Sequence, residues 1–164
     1  MTRQEASTFY RTHSKPLYNT ALRILRDSSE AEEIMQDTLL KYISSGVMSK
    51  TSAQAAAWLR TTCIRKAIDL LRSKKRMPSF IGETLALQEE PADDEPQESP
   101  VDLAKILNAI RSLPAPYGFV VNLVLIEGLG YGEIARMTGQ KESTLRSIYS
   151  RGKAKLAQMI KAQL

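Results

Sequence analysis

Apolar residues recur along most of the chain at the three- and four-residue spacing of helices, and nowhere alternate as a strand would. Leu17, Ala21, Leu22, Ile24 and Leu25 make a first run, broken at Asp27 or Ser28, either of which can cap the next helix. A second run puts Ala31, Ile34, Met35, Thr38, Leu39 and Tyr42 on one face, with Glu30, Glu33, Asp37 and Lys41 opposite. A polar loop, Ser44–Ser52, leads into a long helix predicted from about Ala53 to Arg76, whose apolar side includes Leu59, Cys63, Ala67 and Leu70. Arg65, Arg72 and Arg76, seven and four apart, are expected on nearly one line along it.

The pattern fades after Met77. Pro78, Pro91, Pro96 and Pro100 and the run Asp93-Asp94-Glu95 read as a linker, placed at 77–102, in which only Phe80, Ile81, Leu85 and Leu87 offer anything to dock on a neighbouring domain. Helical spacing resumes from Leu103 to Leu113, stops at Pro114 and Pro116, and returns from Tyr117 to Glu127 with Phe119, Val120, Leu123 and Val124 buried. Gly128-Leu129-Gly130 ends that element. The prediction is an all-α protein of two small helical domains, 1–76 and 103–164, joined by an acidic flexible linker.

Charge sharpens this picture. Residues 1–76 hold 14 Lys/Arg against 7 Asp/Glu, and residues 105–164 hold 9 against 3, whereas residues 77–104 hold 8 Asp/Glu and no Lys or Arg. Two basic blocks flanking an acidic one point to a polyphosphate partner, because cations on a protein displace the counterions condensed on nucleic acid. The acidic segment is a spacer, or it folds back on the basic helices and competes with DNA. The single Cys63 excludes an internal disulfide, and no Cys/His cluster predicts a metal. Neither a nucleophile–base pair nor a phosphate-cradling Gly loop stands out, so no catalytic residue, cofactor or small-molecule substrate is expected. The polar N-terminus and short apolar runs predict a cytoplasmic protein.

The most informative stretch runs from Tyr131 to Ile148. It reads as a helix-turn-helix: Ala135 is the small residue where two helices meet, Gly139 makes the turn, and Leu145 and Ile148 pack the second helix inward. Leu145, Ile148, Gly152 and Leu156 form its inner face, leaving Ser143, Arg146, Ser147, Ser150 and Lys153 outside. That outer face is short-chained, basic and free of carboxylate, so it can enter a major groove with Arg146 at a guanine edge. Thr144 and Arg151 complete the candidate set, and Arg151, Lys155 and Lys161 are expected near phosphates. A solvated face on an ordinary C-terminal helix is the bland reading of the same residues.

Taken in order, Asp27 with Ala31-Glu32-Glu33-Ile34-Met35-Gln36-Asp37, Trp58-Leu59, Ala67-Ile68-Asp69-Leu70-Leu71-Arg72, Leu113-Pro114 and Glu127-Gly128-Leu129-Gly130-Tyr131-Gly132-Glu133-Ile134-Ala135 resemble the extracytoplasmic-function (ECF) sigma factors, from about Phe9 to Leu156. The resemblance implies a transcription initiation factor that binds core RNA polymerase and promoter DNA and is commonly held by an anti-sigma factor. It implies polymerase contacts at Glu33, Gln36, Asp37 and Lys41, and minus-ten DNA contacts at Arg65, Arg72, Lys74, Lys75 and Arg76. Base capture falls to the Ser44–Ser52 loop, and minus-thirty-five reading to the last two helices. The chain departs from the family at Ile64-Arg65, where Arg-Asn is frequent, at Gly118, where Arg is common, and in a capture loop without an aromatic residue.

Rival readings stay open for several residues. Trp58 is a base-stacking wedge or a core anchor, Cys63 a redox sensor or an inert core thiol, and His13 a surface or capping residue. A stand-alone helix-turn-helix regulator would explain the C-terminal block but leave the acidic helix of the first block without a task.

Overall fold

Helix starts in the first half of the chain are set by side chains that satisfy first-turn amides. The computed structural model describes residues 2–45, 51–80 and 102–162. Thr2 accepts from the Glu5 amide and Glu5 accepts from the Thr2 amide, a reciprocal capping box that opens α1 (Arg3–Leu25). Asp27 accepts from the Glu30 amide at 2.9 Å to start α2 (Ser28–Ser44). Thr51 and Gln54 repeat the capping box at α3 (Ser52–Ser73). Between α1 and α2 the chain turns on Arg26, which takes a left-handed φ of 57° and donates its amide to the Leu22 carbonyl.

These three helices pack on one another, each against the other two, as a first unit spanning Met1–Met77. The core lies along α3, where Leu59, Cys63, Ile64, Ala67 and Ile68 are at most 1% exposed. They meet Leu17, Ala21, Ile24 and Leu25 of α1 and Ala31, Ile34, Met35 and Leu39 of α2, all buried. Cys63 is fully buried and its thiol donates to the Leu17 carbonyl at 3.5 Å, the environment of a packing thiol. Aromatic rings close one end: Phe9 stacks on Tyr42, whose edge meets half-buried Trp58, while His13 leans on Phe9. Partial burial lowers the His13 imidazole from its ordinary value.

The second unit, Pro78–Leu164, is organised around its last helix. Asp102 caps α4 (Leu103–Ser112), Pro114 precedes α5 (Ala115–Val121), and a single π turn, Asn122–Ile126, follows without a break. The pattern predicts one regular helix over Tyr117–Glu127. The wider π turn instead rotates the residues after Val121, so Leu123 is fully buried whereas Val124 is only half-buried. Gly128 at φ 71° ends it, and α6 (Tyr131–Thr138) and α7 (Glu142–Ala162) complete the chain. Phe80 is also part of this unit: it is 4% exposed, its ring edge-on to Phe119 at 6.4 Å. Among the described residues every regular element is helical.

α7 packs against α4, α5 and α6 and buries Leu145, Ile148, Gly152 and Leu156. Its closest approach is to α5 at Gly152. A Cβ there would lie 2.6 Å from Cγ2 of fully buried Val121 and 3.3 Å from Cβ of Tyr117, so the two helices cross at a distance only glycine permits. Gly→Ala inside a helix ordinarily stabilises by about 0.5–1 kcal/mol, but overpacking a core costs about 1–3 kcal/mol. Gly152→Ala is therefore expected to lower the thermal unfolding midpoint, whereas Ser150→Ala on the exposed face leaves it nearly unchanged. An unchanged or raised midpoint for Gly152→Ala would mean the crossing is not tight.

Candidate nucleic-acid and protein interfaces

The helix-turn-helix is pinned at its turn. Gly139 takes φ 75° and donates its amide to the Ala135 carbonyl at 2.8 Å. The Thr138 hydroxyl donates to the Ile134 carbonyl at 2.7 Å and accepts from the Gln140 amide. With Ile134 and Leu145 fully buried, α6 fixes which face of α7 points outward.

On that outward face Ser143, Arg146, Ser150 and Lys153 are exposed and Ser147 is half-buried, its hydroxyl donating to the Ser143 carbonyl at 3.0 Å. Thr144 and Arg151 are half-buried and flank this stripe, two positions seven residues apart. Glu142 turns back toward α6, with Oε1 3.1 Å from where a Gly132 Cβ would stand, so this carboxylate is directed away from the basic stripe. Lys155 is held over the Tyr117 ring at 5.3 Å. The Arg146 guanidinium lies 5.3 Å from the centre of the Tyr131 ring, and Tyr149 meets that ring edge-on at 6.1 Å.

In the first unit the outward residues of α2 form one line. Glu33, Gln36, Asp37 and Lys41 are exposed, and Leu40, 63% exposed, stands among them. Ile43, 38% exposed, extends the apolar part. Sequence reasoning passed over both, although the spacing 33, 36, 37, 40 and 41 already assigns Leu40 to the polar face. A single exposed leucine is ordinary; this one stands among charged neighbours on the same helix face.

The end of α3 differs from expectation. The helix stops at Ser73 in a Schellman turn: Lys75 takes a left-handed φ of 55°, its amide donates to the Arg72 carbonyl, and the Arg76 amide donates to the Leu71 carbonyl. Arg76 thus leaves the line that carries Arg65 and Arg72. Its guanidinium donates to both carboxylate oxygens of Glu30, at 2.8 and 2.9 Å, and Lys74 reaches the same carboxylate at 2.8 Å. Glu30 accordingly belongs with the end of α3 and not with the exposed face of α2. Arg65, Arg72, Lys74, Lys75 and Arg76 are all exposed, but two of these five cations are fixed by one acid. The middle of the Ser44–Ser52 loop, expected to capture a base, lies outside the described residues at 46–50, as does the acidic linker at 81–101.

Hydrogen bonds from Lys74 first, and then from Arg76, hold the Glu30 carboxyl below its ordinary value of 4.5, against the opposing effect of burial. A lowered carboxyl adds stability above its unfolded-state pKa and loses it as pH falls through the folded value. Glu30→Gln is therefore expected to lower the unfolding midpoint of the first unit only slightly near neutral pH, since solvent screens the exposed cations. The gap from the parent should close as pH drops below the ordinary glutamate range, because the parent then carries a neutral carboxyl too. A gap independent of pH would remove the ion pairs as its cause.

Two family models match the chain: Sigma-70 region 2 over residues 9–77 and Sigma-70 region 4 over residues 103–156. The chain is 30% identical over 141 residues to ECF RNA polymerase sigma factor SigL of Mycobacterium tuberculosis, covering 84% of this chain and 78% of that protein. It is 26% identical over 135 residues to RNA polymerase sigma factor SigV of Bacillus subtilis, covering 82% and 78%. In fold it is similar to the sigma factor RpoE solved with the anti-sigma factor NepR from Bartonella quintana, at TM-score 0.53 and 22% identity over 96% of this chain and 98% of that one.

Proposed function

The chain belongs to the sigma-70 family and is an RNA polymerase sigma factor of the ECF type, and from that premise we propose how its surfaces divide the work of transcription initiation. The observation that carries the proposal is α7: one face is wholly buried, and the opposite face offers Arg146, Lys153 and small hydroxyl residues to a major groove. Ser143, Thr144, Arg146, Ser147, Ser150, Arg151 and Lys153 read and anchor on the minus-thirty-five element, with Arg146 at a base edge.

The exposed face of α2, with Glu33, Gln36, Asp37 and Lys41 around Leu40, docks on core polymerase. Arg65, Arg72, Lys74, Lys75 and Arg76 on and beyond α3 meet the phosphates of the minus-ten region, Lys74 and Arg76 from the positions in which Glu30 holds them. The Ser44–Ser52 loop takes the unpaired base. An anti-sigma factor covers these surfaces when the factor is idle, and the protein works where RNA polymerase works, in the cytoplasm. The described residues hold no helix long and apolar enough to cross a membrane.

Run-off transcription with core polymerase on a pool of promoter fragments tests the whole reading: discrete transcripts that require the protein are expected. Glu33→Lys and Leu40→Asp should reduce binding to core polymerase without changing the unfolding midpoint. Full-strength binding by both variants would move the docking surface elsewhere. Arg146→Ala should relax preference at one base pair of the minus-thirty-five element. Arg72→Ala should weaken binding evenly across sequences and reduce the salt slope by about one. Exchange of these two behaviours would reverse the reading and anchoring roles.

A further inference from the structure

The residue proposed to read a base does not stand alone on its helix. Arg146 is exposed, and an exposed arginine samples many rotamers of its long side chain, which must be frozen when it meets a base edge. Here its guanidinium lies 5.3 Å from the centre of the Tyr131 ring, within the range at which a ring face attracts a cation. The ring is itself constrained. Tyr131 is the first residue of α6, half-buried behind the N-cap Gly130, and Tyr149 meets it edge-on at 6.1 Å and 66°. Arg146 and Tyr149 are three apart on α7, so a single ring from α6 bridges two neighbouring positions of the reading helix. Burial and then Tyr149 raise the phenol above its ordinary value of 10, so the ring is neutral and its attraction for Arg146 is that of a π face.

We propose that Tyr131 is a positioning residue for promoter reading: by holding the guanidinium of Arg146 over its ring, it restricts the arginine to a conformation from which it reads its base, so that base discrimination at that position depends on Tyr131. The proposal rests on the reading of α7 as the recognition helix. It assigns Tyr131 no contact with DNA. What Tyr131 supplies is the π face and its placement, and the hydroxyl is dispensable.

The test uses the full chain and duplexes of the minus-thirty-five element in which each base pair is varied in turn. Affinity ratios are read for the parent, Tyr131→Phe, Tyr131→Met, Arg146→Ala and the double variant Tyr131→Met/Arg146→Ala, with unfolding midpoints measured alongside. Tyr131→Phe is expected to keep the parent's discrimination. Tyr131→Met, which keeps bulk without a π face, should lose about two- to fivefold of discrimination at the base pair affected by Arg146→Ala, the size of an exposed cation–π contact, and nothing at the others. In the Arg146→Ala background the same change should have no effect. Should Tyr131→Met fail to fold, Tyr131→Leu takes its place, and Tyr131→Phe, with the hydroxyl alone removed, must still match the parent.

Four results overturn the proposal. Uniform weakening across all base pairs would make Tyr131 a structural residue only. Sharper discrimination in Tyr131→Met would mean that the ring holds Arg146 back from DNA. An unaltered base preference in Arg146→Ala would remove the reading role of Arg146 itself, and with it the premise, whereas a changed preference there with none in Tyr131→Met rejects the inference alone.

Discussion

The absence of a side chain at Gly152 fixes how closely α7 crosses α5, and the outward display of the second unit depends on that distance. Val121 and Tyr117 occupy the space that a Cβ would need. With the helix seated at this depth, Leu145, Ile148 and Leu156 reach the core together, and the residues half a turn away are left outside in a fixed register. A helix held further out would rotate to recover contact, since buried apolar area is worth roughly 25 cal/mol per Å². Even a modest rotation would carry Arg146 off the Tyr131 ring. Packing on one face therefore governs which atoms are presented on the other, and the turn at Gly139 fixes the same relation from the opposite end.

The first unit solves a different problem, which is where to leave its charge. Its core is apolar along the length of α3, and the helix end carries Lys74, Lys75 and Arg76 in succession. A straight continuation would spread these cations round the axis. The left-handed Lys75 turns the chain instead, at an intrinsic cost of roughly 1–2 kcal/mol for a residue with a Cβ, and brings Lys74 and Arg76 onto Glu30. Because both cations remain substantially exposed, the pairs are screened by solvent and contribute little net stability. Their effect is on placement: two long flexible side chains are oriented beside α2, while Glu30 cancels part of a local positive charge.

Much of this was legible in the sequence because burial follows helical spacing. The inner face of α7, the apolar face of α2 and the turn at Gly139 lie where periodicity and glycine placement put them, and the family resemblance leads to the same sigma-factor fold. Other features were hidden for physical reasons. The first helix begins at Arg3, not near Leu17, because Pro16 and a polar run obscure the period; the Thr2–Glu5 capping box was its available signal. The π turn after Val121 inserts a rotation that no regular period contains. Pairing of Glu30 with residues 44 and 46 positions away is a tertiary fact, as is the stacking of Arg146 on Tyr131. Phe80, one of the four linker side chains expected to be able to dock, is indeed buried, but its partner Phe119 is again a tertiary fact that composition does not supply.

Under the proposed reading the protein acts by binding energy alone, and magnitudes constrain how that energy is arranged. Unstacking a base costs a few kcal/mol, whereas one well-placed bidentate base contact discriminates by about 1–3 kcal/mol. A single recognition helix with one arginine at a base edge cannot supply both the affinity and the selectivity for such a step. Two units on one chain can, because binding of the first raises the effective concentration of the second at a correctly spaced site. Each surface must then be moderate by itself, or the factor would be retained on isolated half-sites. Small hydroxyl residues around Arg146, and an acid that occupies two of the cations at the end of α3, are consistent with surfaces held at moderate strength, where selectivity comes from the spacing of two elements and from the precision with which a few side chains are held.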